Sequence, residues 1–131
     1  MAQLAHPRQR VRQHLALAGG QCLVRLLELG PHLIARELPL LLAPGGDAYA
    51  PVGHIAGAVD LVYRDPVTGE VVVADYKTDD VPDDAAIAER ARAYKLQGAV
   101  YVQGVREALA LPAVPRFELW FLHADRIVPV G

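Results

Sequence analysis

The 131-residue sequence contains little cysteine and carries almost no net charge. Its one cysteine, Cys22, cannot form an internal disulfide or supply a four-cysteine zinc or iron–sulfur site. This excludes a secreted disulfide scaffold and favours a reducing compartment. The 13 basic residues against 15 acidic ones leave a formal charge of −2, so no global basic field attracts the chain to nucleic acid or to a membrane.

The sequence also lacks long apolar runs, although 53% of its residues are hydrophobic and 21% are charged, a composition that argues against disorder. No run reaches the roughly 18–20 residues that a membrane span requires. The first residues, MAQLAHPRQRVRQ, have no apolar segment behind their charges, so we expect no signal peptide, no membrane partner and a cytoplasmic location. We interpret residues 1–131 as one domain, with an N-terminal helical part (1–32) and a core (33–131).

Lysine is scarce as well. Of the 13 basic residues, only Lys77 and Lys95 are lysine. In so arginine-rich a chain, a position that keeps lysine is a candidate for needing a compact ammonium rather than a forked guanidinium, although two examples also fit chance.

The apolar pattern predicts an α/β fold with the element order α-β-β-β-α-β around a mixed sheet flanked by helices. Helical spacing runs from Pro7 to Leu29, and Gly19-Gly20 divides it into two short helices. Strands are predicted at 33–42, 54–63 and 70–76 as an antiparallel meander, and the last strand at 117–123. One long helix is predicted over 85–109, with Asp83 or Asp84 as its cap after the loop 78–84.

The second and third strands carry two aspartates whose positions match. If the hairpin turn is centred between Val67 and Thr68, Asp60 lies directly opposite Asp75, with Cβ atoms about 5 Å apart, and Lys77 lies on the same face. Like charges placed opposite each other destabilise a hairpin, so a shared proton, a cation or solvent must offset the repulsion. Mg²⁺ or Mn²⁺ suits two such carboxylates, whereas the alternative is a solvated, charged edge hairpin.

Three motifs occur in order on a strand, a strand and a helix. They are Gly-x-x-Asp at 57–60, Asp-Tyr-Lys-Thr at 75–78 and Tyr-x-x-Gln at 94–97. Together they resemble the PD-(D/E)xK nuclease superfamily, and more closely the RecB/AddA-type (exonuclease V-like) nuclease domain of bacterial helicase–nucleases. The resemblance covers about residues 35–122 and implies a restriction-endonuclease-like core.

The resemblance also implies roles for individual residues. Asp60 and Asp75 would bind the metal, Lys77 would be the active-site lysine, and Gln97 and Tyr94 would line the site from the helix. Further candidate metal ligands are the backbone carbonyl of Tyr76, the side chain of Glu37 and the side chain of His14, the nearest counterpart of a first-helix histidine. The alternatives are an exposed strand residue for Glu37 and a surface histidine for His14. Several relatives hold an iron–sulfur cluster through four cysteines, which a single cysteine excludes here.

Weaker candidates lie nearby. Arg90 and Arg92 are candidate contacts to DNA phosphates, with a solvated helix face as the alternative. Tyr101 and Trp120 are interpreted as core residues rather than platforms for stacked bases.

We therefore expect a Mg²⁺- or Mn²⁺-dependent deoxyribonuclease, and the resemblance implies an exonuclease of DNA repair and recombination. Its near-neutral charge predicts weak affinity for DNA on its own, with an attached helicase domain or a partner subunit supplying the rest. The alternative is a nuclease fold that serves as a non-catalytic scaffold or protein-docking module in a DNA-processing complex. The complete set of Asp60, Asp75, Lys77 and Gln97 favours the enzyme.

Overall fold

The structure, a computed structural model, describes residues 20–41 and 55–131. Within these residues, three α-helices flank one five-stranded mixed sheet, which is the predicted α/β class. The helices are α1 (Gln21–Leu29, followed by a 3₁₀ turn at Gly30–His32), α2 (Asp84–Ala93) and α3 (Lys95–Ala108). The strands are β1 (Leu33–Leu41), β2 (Ile55–Arg64), β3 (Val71–Lys77), β4 (Arg116–Phe121) and β5 (Arg126–Val130).

The strand order in the sheet is β1-β2-β3-β4-β5. The predicted antiparallel meander of the first three strands is confirmed, and α2 and α3 form the crossover to β4, which pairs in parallel with β3. Each face of the sheet buries a separate apolar cluster. Residues of α2 and α3 pack on the face that contains Val73 and Phe117, whereas α1 packs on the face that contains Ala74 and Trp120.

Two sequence predictions are corrected by the structure. The single helix predicted over 85–109 is wrong, because Tyr94 separates α2 from α3 with φ −89° and ψ 0°. A fifth strand, β5, was not predicted. It contains Pro129, which removes a backbone donor and is tolerated because β5 lies at the edge of the sheet.

Helix α1 receives its N-terminal cap from a distant turn. Its N-cap residue, Gly20, has no side chain, and the carboxylate of Asp125 accepts hydrogen bonds from the backbone N–H groups of Gln21 (2.7 Å) and Cys22 (2.8 Å). By contrast, α2 is capped locally as predicted, since the Asp83 carboxylate accepts from Ala86 N–H at 2.8 Å. The first of the two short N-terminal helices predicted from the sequence lies outside the described residues.

None of the helices in residues 20–41 and 55–131 has both the length and the apolar character needed to span a bilayer.

The distant cap predicts a specific sensitivity at Gly20. A Cβ atom on Gly20 would lie 2.2 Å from the Asp125 carboxylate oxygen, whereas a Cβ on Gly30, at the other end of α1, meets nothing within 4 Å. We expect Gly20→Ala to lower the free energy of unfolding by about 1–2 kcal/mol, because Asp125 must leave both N–H groups. Gly30→Ala should be neutral or slightly stabilising. Urea denaturation measures both.

Removal of the Asp125 carboxylate provides the control for this prediction. In an Asp125→Ala background the carboxylate is already absent, so Gly20→Ala should cost much less than it does in the native chain. An equal cost in both backgrounds would show that the contact between Gly20 and Asp125 is not the cause.

Candidate active site

The candidate site lies where β2 and β3 separate. The β2–β3 pairs run from Arg64–Val71 to Leu61–Ala74, and this is the register predicted from the sequence. The next position along would pair Asp60 with Asp75. There the Asp60 carboxylate, rather than a backbone carbonyl of β2, accepts the hydrogen bond from Tyr76 N–H at 2.8 Å. Strand β3 remains paired with β4 as far as Lys77, so a gap opens on the β2 side of β3.

The two carboxyl groups at this gap are in direct contact. The carboxyl groups of Asp60 and Asp75 lie close enough to form a side-chain hydrogen bond once one of them is protonated, and Asp75 is only 6% exposed. The pKa of Asp60 is raised to about 8, mainly by burial and further by the hydrogen bond and the charge of Asp75. The Tyr76 N–H and the Lys77 charge act in the opposite direction but are weaker. The raised pKa of Asp60 favours a protonated carboxyl group at neutral pH, so the pair can share a proton.

Lys77 is held on three sides. Its ammonium lies 2.8 Å from an Asp75 carboxylate oxygen, donates to the side-chain oxygen of Gln97 at 2.9 Å, and sits 3.9 Å from the centre of the Tyr94 ring. The side chain is 13% exposed. A compact point charge fits this position, whereas a planar guanidinium would displace at least one of these partners.

The break between α2 and α3 positions the two helix residues of the site. Tyr94 is the junction residue, and Gln97 lies three positions further on, in the first turn of α3. Close packing of α3 on the sheet depends on Gly98, where a Cβ would lie 2.6 Å from the Phe117 ring. The helix therefore approaches β4 closely enough for Gln97 to reach Lys77.

The structure adds two residues that sequence reasoning missed. Tyr101, which the sequence analysis assigned to the core, is half-buried, and its hydroxyl oxygen accepts from the Gln97 amide nitrogen at 3.2 Å. That hydroxyl packs against Gly57, where a Cβ would lie 2.9 Å away, so the glycine of the Gly-x-x-Asp motif leaves room for it. The spacing of Gln97 and Tyr101, four residues apart on one helix, was the signal that could have identified Tyr101. The assignment of both residues to the core also holds, since the Tyr101 ring packs edge-on against Phe117 and Trp120 is fully buried.

Asp79 is the second residue of the site that the sequence did not predict. Both of its carboxylate oxygens accept from the Tyr94 hydroxyl, at 2.9 and 3.2 Å, and Arg90 Nε lies 3.6 Å from one of them. Burial and Asp79 together raise the pKa of Tyr94, which keeps the phenol in its neutral, donating form. Arg90, a predicted DNA contact, is thus paired with Asp79 although 57% of its side chain is exposed, while Arg92 is exposed on α2.

Two further predicted metal ligands, the Glu37 side chain and the Tyr76 carbonyl, come from residues whose side chains do not join the contact between Asp60 and Asp75. Glu37 is exposed and has a φ of 52°, and it lies on β1 between the pairs Arg36–Leu61 and Leu38–Val59, at the position facing Asp60. The backbone N–H of Tyr76 binds Asp60, and its ring packs on the opposite face of the sheet, 5.8 Å from the Trp120 ring. Burial is the main cause that raises the pKa of Tyr76 to about 12.

His14 lies outside the described residues. Among those that are described, no three His, Cys, Asp or Glu side chains are gathered closely enough to hold a metal ion, so Glu37 does not join the two aspartates in this conformation. Cys22 is fully buried, and burial followed by the charge of Asp125 raises the pKa of its thiol to about 12, which makes it a poor nucleophile.

The chemistry of the donor set fits a hard divalent cation. Asp60 and Asp75 present only oxygen atoms, and positive charge beside them, from a proton or from a cation, relieves their mutual repulsion. Comparison of the chain with protein-family models and with curated proteins found no match.

The shared proton predicts how stability depends on pH in the absence of divalent cations. The folded chain retains on Asp60 a proton that the unfolded chain releases above the ordinary pKa of 3.8. The stability contributed by this proton is fully present below that pKa and is lost as the pH rises to the folded pKa of about 8. We expect the free energy of unfolding in EDTA to fall between about pH 4 and about pH 8, with a slope of up to about 1.4 kcal/mol per pH unit.

The matched variant is Asp60→Asn. An asparagine can accept from Tyr76 N–H and donate to Asp75 at every pH, so this variant should show a flatter profile over the same range. Urea denaturation at several pH values measures the slopes, and equal slopes in the two proteins would contradict the assignment of the proton to Asp60.

Proposed function

We propose that the chain is a divalent-metal-dependent deoxyribonuclease domain with a restriction-endonuclease-like core. The observation that supports this most strongly is the convergence of four polar side chains from three separate segments. Asp60 comes from β2, Asp75 and Lys77 from β3, and Gln97 from α3, and hydrogen bonds or an ion pair connect each one to the next. These are the residues that the resemblance to the RecB/AddA-type nuclease domain assigns to catalysis.

Asp60 and Asp75 are the residues that would hold the cation, in place of the proton they share. A bound Mg²⁺ or Mn²⁺ supplies two things to phosphodiester hydrolysis, namely activation of the attacking water and neutralisation of the charge that develops on the phosphate and on the leaving oxygen. The carbonyl of Tyr76 remains a further candidate ligand, because it belongs to the residue whose N–H already fixes Asp60.

Lys77 acts in this proposal as a charged donor. Its ion pair with Asp75 at 2.8 Å places the ammonium beside one of the carboxylates that would hold the cation. It can orient the water or stabilise a phosphate oxygen as negative charge develops there. Gln97 holds the ammonium from the helix side, and the hydroxyl of Tyr101 in turn holds the Gln97 amide.

The charge of the chain bears on its partners. A formal charge of −2 gives no long-range attraction to DNA, and Arg90 is already paired with Asp79. We therefore propose that the domain acts with a helicase domain or subunit that delivers the DNA, as an exonuclease of cytoplasmic DNA repair or recombination.

Nuclease activity is tested most sharply with the two lysines. Lys77→Arg should reduce cleavage nearly as much as Lys77→Ala, by roughly 100-fold or more, because a guanidinium does not fit between Asp75, Gln97 and the Tyr94 ring. Lys95→Arg, the same exchange at an exposed helix position, should cleave like the native chain. Single- and double-stranded DNA are incubated at low salt with Mg²⁺ or Mn²⁺, and product is quantified on gels.

Asp75→Ala and EDTA serve as the negative controls. Cleavage that persists in Asp75→Ala, or cleavage by the native chain that does not depend on the cation, would exclude this site as its source. Absence of cleavage on every substrate in a folded native chain would favour the alternative of a non-catalytic scaffold. Native-like activity in Lys77→Arg would show that the compact ammonium is not required.

A further inference from the structure

The Lys77 ammonium has three N–H donors, and three groups of the chain lie against it. Asp75 and Gln97 take two of them through oxygen atoms at 2.8 and 2.9 Å. The face of the Tyr94 ring lies on the remaining side, with its centre 3.9 Å from Nζ, which is well within the range of a cation–π contact. The position of the ring therefore helps to set the position of the charge.

The ring itself is fixed by its hydroxyl group. Tyr94 lies at the junction of α2 and α3, and its hydroxyl donates to both carboxylate oxygens of Asp79. Asp79 lies two residues after Lys77, in the loop that leaves β3, and its side chain is 17% exposed. The loop that follows the lysine thus reaches the helix junction and holds the aromatic ring against the lysine.

We infer that Asp79 is a positioning residue for Lys77, and that it acts by anchoring the hydroxyl of Tyr94 so that the ring remains against the ammonium. Neither the motif resemblance nor the proposed chemistry assigns a role to Asp79. The competing explanation is a purely structural tie between the loop and the helices, which would leave the environment of the Lys77 charge unchanged when the tie is cut. The catalytic part of this inference rests on the proposed function, whereas the geometric part does not.

The geometric part can be measured by NMR because the chain has only two lysines. Selective ¹³C labelling of the lysine side chains gives one set of Cε signals for Lys77 and one for Lys95, and Lys95→Arg assigns them. The aromatic ring shifts the Lys77 Cε protons to lower frequency, since these protons lie next to a nitrogen 3.9 Å from its centre. We expect Asp79→Ala and Tyr94→Leu to move this signal towards the position of an exposed lysine.

Two variants distinguish anchoring from a general loss of charge. Asp79→Asn retains an oxygen that can accept the Tyr94 hydroxyl, so its Lys77 signal should stay close to that of the native chain. Asp80→Ala removes the neighbouring, exposed carboxylate and should leave the signal unchanged. The inference is wrong if Asp79→Ala leaves the Lys77 signal in place, or if Asp80→Ala moves it as far as Asp79→Ala does.

The catalytic part uses the same variants in the DNA cleavage assay. We expect Asp79→Ala to lower kcat about fivefold to thirtyfold with KM little changed, which is the range that loss of a cation–π contact can produce. Asp79→Asn should restore most of this loss. If the native chain cleaves DNA and Asp79→Ala has the same kcat, Asp79 has no role in catalysis. If Asp79→Ala shifts the Lys77 signals but the native chain does not cleave DNA, the anchoring by Asp79 is supported and the proposed nuclease activity is contradicted.

Discussion

The contact between the Asp60 and Asp75 carboxyl groups is the constraint on which the site depends. Two adjacent ionised carboxylates repel each other strongly where one of them, Asp75, is almost fully buried. Positive charge near the pair relieves this repulsion. The raised pKa of Asp60 favours a proton on that carboxyl group, and the Lys77 ammonium lies 2.8 Å from Asp75. In the proposed function, a cation would take the place of the proton at these two carboxyl groups.

The surrounding structure holds these groups at the point where two strands separate. Asp60 takes the Tyr76 N–H that would otherwise continue the β2–β3 ladder, so its carboxylate is fixed by the main chain of β3. Lys77 is fixed by Gln97 and Tyr94, which α3 and the helix junction provide. Strand separation and the helix break thus act together to bring the polar groups to one place without unsatisfied buried side-chain atoms among the described residues.

Much of this arrangement could be predicted because its signals are local. The valine-rich strand and its turn define the hairpin, and counting from the turn correctly sets the register that aligns Asp60 with Asp75. The Asp83 cap is equally local, since it binds an N–H group three residues away. The prediction of Lys77 and Gln97 came from motif resemblance, and the structure brings their side chains together.

The remaining features depend on contacts between distant residues. No glycine or proline marks the helix break, and Tyr94 is instead held by Asp79 and Lys77. The N-terminal cap of α1 comes from Asp125, whose carboxylate accepts a hydrogen bond from the N–H group of Gln21, 104 positions away in the sequence. The positive φ of Glu37 has no sequence signal, because a glutamate rarely adopts it.

Proton release in a cation titration is the most direct test of whether Asp60 and Asp75 form a cation site. Calorimetric titration of Mn²⁺ into the chain at pH 7, in two buffers of different ionisation enthalpy, gives the number of protons released per ion. If the cation replaces the proton shared by Asp60 and Asp75, the native chain should release up to about one proton per ion, and Asp60→Asn should release far less. Binding without proton release, or equal release from the native chain and Asp60→Asn, would contradict the assignment of the two carboxyl groups as the cation site.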